Sequence, residues 1–272
     1  MKTAIIIPAR YASTRYPGKP LVSLRQADGS QETLIEMSWQ AARRVAGVDE
    51  VFVATDDARI ATHAEDFGAS VVMTDEACEN GTARCADAVT RAGLDADVIV
   101  NLQGDAPLTP PWFIEALIAA MRTDDTIKVA TPVLRCDLAD YERLVEDRRN
   151  GLFGGTTAVM DLSGNALYFS KEVIPVFSLD EARGGAPIPV FHHVGVYAYR
   201  RAALRDYASH RIGTLEQLEG LEQLRFLEAG ERVRCVEVDA RGQVFWELNY
   251  PHDRARIEAA LISNQRGGTP VP

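Results

Sequence analysis

The feature that most constrains the fold is an alternation that fills the first 135 residues. Apolar, strand-like runs at Ala4–Ile7, Val51–Ala54, Ser70–Met73, Val98–Leu102 and Val129–Leu134 are separated by amphipathic helical stretches at Leu34–Val45, Ala58–Phe67, Thr82–Ala92 and Pro111–Met121. Continuous apolar strands need cover on both faces, and strands joined by helices run parallel. Right-handed crossovers then give an α/β fold, a three-layer α/β/α sandwich with a mostly parallel central sheet. Ligands of such sheets bind beyond the carboxyl ends of the strands. That rule puts the loops at Pro8–Lys19, Thr55–Asp57, Thr74–Arg84 and Gln103–Pro107 on one rim.

Beyond residue 135 the pattern loosens. Gly151, Gly154, Gly155, Gly184, Gly185, Pro175, Pro187 and Pro189 punctuate residues 136–192. Strands are expected at Thr157–Asp161 and Ala166–Phe169, and a mobile segment at Leu179–Pro189. Further on, Val194–Tyr199 and Val233–Val238 read as strands, Leu215–Ala229 as one helix closed by Gly230, and Pro251–Ile262 as a last helix. Residues 1–265 thus form a single domain with an irregular excursion at 136–200, and 266–272 a frayed tail. A net charge of −10 argues against a general affinity for nucleic acid or membrane. There is no leader-like start and no 18-residue apolar run, so a cytoplasmic protein is expected. The four cysteines have no CxxC spacing and the five histidines no HxxxH spacing. Packed thiols are expected, and no zinc site.

The chemistry concentrates in IIIPARYASTRYPGK, residues 5–19. The apolar run ends at Pro8, and Arg10, Arg15 and Lys19 follow among the small residues Ala9, Ala12, Ser13 and Gly18. Small residues let backbone N–H groups approach a phosphate, and clustered cations suit a polyphosphate. Ser13 stands where a Walker A loop has its first glycine, so this is a different phosphate loop. A solvated basic loop after an edge strand is the alternative. Asp105, in NLQGDAP, follows another apolar strand, and Gly104 permits a sharp turn there. A carboxylate so placed suits a hard divalent cation bridging nucleotide phosphates. Helix capping is the competing role, but Asp105 stands five residues ahead of Pro110.

The stretch IPARYASTRYPGKPL resembles the signature loop of the bacterial 3-deoxy-manno-octulosonate (Kdo) cytidylyltransferases, the CMP-Kdo synthetases. Further matches follow in collinear order: VATDD at 53–57, VVMT at 71–74, NGTAR at 80–84, NLQGDAP at 101–107, ALYFSKEVIP at 166–175, HHVGVYAYR at 192–200, LEQLEGLEQLRFLEAGE at 215–231 and NYPHD at 249–253. The resemblance implies a nucleotide-diphospho-sugar transferase-like fold and a magnesium-dependent transfer. CTP and a 2-keto-3-deoxy sugar acid, Kdo foremost, would give CMP-sugar and pyrophosphate. It makes Arg10, Arg15, Lys19 and Asp105 catalytic. It assigns the nucleotide to Pro8, Ala9, Arg10, Ser13, Lys19, Thr74, Asn80, Gly81, Thr82, Arg84 and Gln103. The acceptor falls to Gln103, Lys171, His193, Tyr197, Glu216 and Gln223. His193 and Tyr197, four apart on one expected strand, share a face. Mg²⁺ falls to Asp105 and Asn249. The resemblance also implies a homodimer through residues 136–200, where Val173–Phe177 offers an apolar contact, and a product used for lipopolysaccharide or capsule.

Four positions depart from the family pattern. Ala106 stands where QGDEP has Glu, Thr157 where a Lys is usual, Lys171 where Arg is usual, and Asn249 where an Asp ligates metal. An amide ligates without charge, so Glu247, on the same strand face as Asn249, or Asp253 is the alternative. These departures leave two other functions open. One is the same transfer to another acid, such as a nonulosonic acid, an amino-Kdo or a phosphonate. The other is CTP binding without turnover. Asn80 and Thr82 equally suit a helix N-cap, and Trp39, Trp112 and Trp246 read as core.

Overall fold

The computed structural model describes residues 1–12, 16–243, 248 and 253–265. Strand β1 (Thr3–Ala9) leads through a small two-stranded sheet, β2 (Ser23–Arg25) and β3 (Gln31–Thr33), into helix α1 (Leu34–Arg43). Then come β4 (Glu50–Thr55), α2 (Ala58–Asp66), β5 (Ser70–Met73), α3 (Gly81–Arg91), β6 (Val98–Leu102), α4 (Pro111–Thr123) and β7 (Val129–Arg135). The second half holds α5 (Leu138–Arg149), β8 (Thr156–Met160), β9 (Ala166–Ser170), α6 (Leu179–Arg183), β10 (Phe191–His193) and β11 (Val196–Arg200). The chain ends with α7 (Arg201–Tyr207), α8 (Thr214–Glu219), α9 (Leu224–Glu228), β12 (Val233–Glu237) and α10 (Asp253–Gln265).

The three layers follow from β1. Ala4 and Ile6 pack on one face with Cys85 and Ala88 of α3 and Leu204 and Tyr207 of α7. Ile5 and Ile7 pack on the other with Ile35 of α1 and Phe113 and Leu117 of α4. Each of these isoleucines is fully buried, worth about 2–3 kcal/mol apiece in transfer free energy. Side-chain caps start the helices: Thr33 for α1, Asp57 for α2, Asn80 for α3 and Asp137 for α5. Strands β5, β4, β1 and β6 pair in that order and in parallel. Strand β11 runs antiparallel to both β6 and β7, and β12 lies parallel on the far edge of β7. The result is a mostly parallel mixed sheet: β1, β4–β8 and β12 share one direction, and β9–β11 oppose it.

The sheet forks at one place. β10 and β11 lie along the same edge of β7, but the pairing jumps from His193↔Val133 to Ala198↔Ala130. Residues 194–197 therefore stand opposite 131–132, a bulge of two residues. A tight turn closes it, with Val196 N–H donating to Val194 O at 2.7 Å around Gly195. On its other edge the same line pairs with β6 below the bulge and with β8 above it. The hairpin β8–β9 branches off there.

Three expectations need correction. Pro8 does not end β1, which runs on to Ala9 beside β4; the ladder with β6 stops at Ile6↔Asn101, so the missing N–H of Pro8 costs no bond on that side. Residues 215–229 are not one helix. Gly220 takes a left-handed conformation, φ +61°, and ends α8, with its N–H donating to Glu216 O. The segment expected to be mobile carries α6, capped by Ser178, with Ala182 buried. The cysteines are free thiols, three of them buried. Trp39 and Trp112 pack against the core, Trp39 on Phe67 at 5.2 Å. Trp246 and the tail 266–272 lie outside the described residues.

Candidate active site

A cleft of about 770 Å³ opens at the fork, where β6 ends and β8 begins. The carboxyl ends of β1 and β6 form its floor, the loop into α3 one wall, and the β10–β11 bulge with α8 and α9 the other.

At the floor, Pro8, Ala9, Arg10, Lys19 and Asp105 come together. Arg10 is exposed and makes no ion pair among the described residues. Gly18, at φ +70°, turns the chain so that Lys19 starts a short 3₁₀ turn. Lys19 Nζ then meets Asp105 Oδ2 at 2.5 Å. The pair joins a cation suited to a phosphate oxygen with a carboxylate suited to a divalent cation. Asp105 does not cap α4, which begins after Pro110 without any side-chain cap. Its carboxylate is 28% exposed at the end of β6. No cluster of three metal-ligating side chains occurs among the described residues. One partly exposed carboxylate, with Oδ2 on Lys19, still fits Mg²⁺, which takes one or two carboxylates and completes its shell with phosphate oxygens and water. Ser13, Arg15, Glu247 and Asn249 lie outside the described residues. Asp253 is buried at the start of α10 and does not line the cleft.

At the α3 wall, Gly81, Asn80 and Arg84 line the cleft, but the side chains of Asn80 and Arg84 are engaged. Asn80 is the N-cap of α3, accepting from Ala83 N–H at 2.8 Å, and it donates to Tyr207 OH. Thr82 lies behind the wall, bonded to Tyr199 OH at 2.8 Å. Arg84 is buried, donating to Thr74 Oγ1 at 2.5 Å and to Asp56 Oδ2 at 2.7 Å. Thr74 and Thr82 thus support the wall instead of facing a ligand. Gln103 lies across Gly81, where a Cβ would come within 2.8 Å of its amide nitrogen. That amide donates to Glu222 Oε1 at 3.1 Å, while Glu222 Oε2 accepts from Thr82 N–H at 3.0 Å. Burial pushes the Glu222 carboxyl above its ordinary range.

The opposite wall gathers His193, Tyr197, Glu216 and Gln223. His193 and Tyr197 do not share one regular strand. The bulge separates them, yet their rings stand 5.6 Å apart. His193 Nε2 lies 2.9 Å from Thr131 Oγ1, which is also 2.8 Å from Val196 O. The threonine's single hydrogen serves the carbonyl, so the ring donates from Nε2 and keeps Nδ1 as an acceptor. Burial, with His192 beside it, pushes the His193 pKa down to about 3. Tyr197 OH donates to Gln223 Oε1 at 3.0 Å, and Gln223 Nε2 has no partner among the described residues.

Glu216 lines the cleft already ion-paired, and one acceptor residue, Lys171, is corrected. Both oxygens of Glu216 are gripped by the Arg225 fork, Nε and Nη2 donating at 2.7 Å each, with Glu79 a second partner of that guanidinium at 3.1 Å. Its carboxylate is therefore anchored before any hydroxyl meets it. Lys171 does not line the cleft; its backbone N–H binds Glu219, and its ammonium lies against Gly220 at the rim. Thr157 is also structural, its hydroxyl donating to Glu172 O inside the hairpin. Glu222 and Arg225 line the cleft and were not among the expected site residues. Gly220 within LEQLEGLEQL was the available signal, since a left-handed break turns residues 221–225 into the cleft.

The fold and the cleft suit a nucleotidyltransferase, and comparison with known proteins shows that class. The family described as Cytidylyltransferase matches residues 4–233. A 3-deoxy-manno-octulosonate cytidylyltransferase of Maricaulis maris is 42% identical over 97% of this chain and 98% of its own length. One from Chlamydia pneumoniae is 37% identical over 93% and 91%. The solved structure of a CMP:2-keto-3-deoxy-manno-octonic acid synthetase complexed with CTP superposes with a TM-score of 0.82 at 34% identity, over 97% of this chain and all of that one. A 4-diphosphocytidyl-2C-methyl-D-erythritol synthase from Anaerococcus prevotii, 12% identical with a TM-score of 0.58, shares the fold. The chain belongs to the cytidylyltransferase family, and within it to the 3-deoxy-manno-octulosonate cytidylyltransferases.

Proposed function

We propose that this enzyme activates a 2-keto-3-deoxy sugar acid, Kdo foremost, with CTP to give CMP-sugar and pyrophosphate. The observation that carries the proposal is the Lys19–Asp105 pair at the carboxyl ends of β1 and β6, in a cleft whose far end offers amides, a phenol and a neutral imidazole. The anomeric hydroxyl of the acceptor attacks the α-phosphorus in line. The new O–P bond forms as the bond to pyrophosphate breaks, and the hydroxyl proton leaves to solvent. Such transfers depend on positioning and charge neutralisation more than on covalent help. Arg10 and Lys19 neutralise phosphate oxygens, joined by Arg15 from the same loop. Gln103, Tyr197, Gln223 and the Nδ1 acceptor of His193 orient the sugar hydroxyls. Asp105, with Asn249 or Glu247, would hold Mg²⁺, which when bound neutralises the phosphates and lowers the pKa of the attacking hydroxyl.

The same reading makes residues 1–265 one catalytic domain, with 136–200 serving acceptor binding and a homodimer contact. Val176 is fully exposed there, although Val173 and Phe177 pack inward on the Tyr141–Ile188 cluster. No helix among the described residues is long and apolar enough to cross a membrane. We place the activity in the cytoplasm, feeding lipopolysaccharide or capsule. The test is pyrophosphate release from CTP and Mg²⁺ over a panel of sugar acids, with mass spectrometry of the product. Turnover with Kdo supports the proposal. Turnover with another acid alone overturns the acceptor, and silence with every acid overturns the reaction.

A further inference from the structure

The Thr55–Asp57 segment at the end of β4 does not line the cleft, and both of its carboxylates are committed. Asp56 holds Arg84. Asp57 caps α2 by accepting from Arg59 N–H at 2.9 Å, and it grips the Arg59 guanidinium with both oxygens, at 2.9 Å from Nε and 2.6 Å from Nη2. That fork fixes where the guanidinium plane lies. Its central carbon stands 3.3 Å from the ring centroid of Tyr11.

Tyr11 follows Arg10 directly, and Gly18 directly precedes Lys19. The two are joined: Gly18 N–H donates to Tyr11 O at 2.9 Å, and a Cβ on Gly18 would come within 3.1 Å of the Tyr11 ring. The tie between Tyr11 and Gly18 therefore sets how far Arg10 stands from Lys19. Arg59 does not line the cleft, but it holds one member of that tie.

We propose that Arg59, aimed by Asp57, is a positioning residue for the nucleotide: it presses Tyr11 onto Gly18 and fixes the spacing of Arg10 and Lys19 that a triphosphate needs. The proposal rests on the nucleotide-binding part of the reading above and is independent of which acid is the acceptor. Arginine suits the role because its planar guanidinium stacks on a ring while remaining forked to a carboxylate, which a lysine ammonium does not do.

The test is CTP binding by calorimetry in the presence of Mg²⁺ and without acceptor, with steady-state kinetics and melting temperature alongside. Arg59→Ala should raise the Kd for CTP about fivefold. The KM for the acceptor should stay within about twofold and Tm within about 2 °C, because an exposed stack contributes little to folding. Tyr11→Phe keeps the ring and should bind like wild type. Tyr11→Leu should lose the same factor as Arg59→Ala, and the double variant no more than either, because both remove one contact. An unchanged Kd in Arg59→Ala overturns the proposal, as does a double variant whose loss is the product of the single losses. Wild-type protein that binds no CTP overturns the nucleotide reading itself, and that failure shows before any variant is compared.

Discussion

Replacing His193 with glutamine should flatten the loss of stability in mild acid. The ring is buried on β10, edge-on to Phe169 at 4.9 Å, and burial holds its pKa at about 3 against an ordinary 6.5. The sign follows from proton uptake. Below pH 6.5 the unfolded chain binds a proton that the folded protein refuses. The contribution to stability is therefore complete above that pH and drains away as pH falls toward 3. Between pH 8 and pH 5 the loss from this one group is about 2 kcal/mol. His192, held at about 4, loses a similar amount over the same interval and remains in the variant as an internal reference. Glutamine can still donate to Thr131 from its amide. Urea unfolding of wild type and His193→Gln at pH 8 and pH 5 gives four free energies. The acid-induced loss should be smaller in the variant by about 2 kcal/mol, whatever the substitution costs at pH 8. Equal losses in the two proteins would refute the burial argument.

Three further outcomes are expected. Arg225→Met leaves the buried Glu216 carboxylate unpaired and should cost about 3–5 kcal/mol in urea unfolding, whereas Glu216→Leu/Arg225→Met should recover most of that loss. Asp105→Asn should fold normally and lower kcat for pyrophosphate release by roughly two orders of magnitude or more, and near-normal turnover would contradict its role at the phosphates. Gly81→Ala puts a Cβ 2.8 Å from the Gln103 amide and should displace it from Glu222; the expected result is a rise of about tenfold in the KM of at least one substrate, and unchanged KM values for both CTP and the acceptor would contradict a role for Gln103 in the cleft.

The parallel half of the sheet was legible because its signal is local. Ile5–Ile7 and Val98–Val100 are apolar on both faces, and that alone demands helices above and below. The strand-end rule then brought Lys19 and Asp105, 86 residues apart, to one rim. Their direct pairing was not legible, because it depends on how Gly18 turns a loop. The second half failed where one residue overrides a period: the leucines of 215–227 keep helical spacing through Gly220, and only its left-handed backbone breaks the helix. With the helix broken, Glu216, Glu219 and Glu222 no longer share one face. They meet, respectively, Arg225, the β9 end at Ser170, and Gln103 with the start of α3.

The fork explains how a single sheet opens a cleft between two of its strands. Below the bulge, β11 presents Tyr197 beside the end of β6, the strand that delivers Gln103 and Asp105. Above it, β10 presents His193 beside the start of β8, which belongs to a hairpin with no part in the nucleotide floor. A regular strand would carry β6 and β8 as one continuous partner and close the gap between them. Four residues opposite two supply the offset, and Gly195 at the tight turn leaves its space to the cleft. Thr131 holds the bulge from β7 with one hydroxyl against Val194 O, Val196 O and the His193 ring. The hydroxyl that orients His193 is thus the one that stabilises the irregularity, so the seat of the His193 ring and the geometry of the sheet are set by the same bonds.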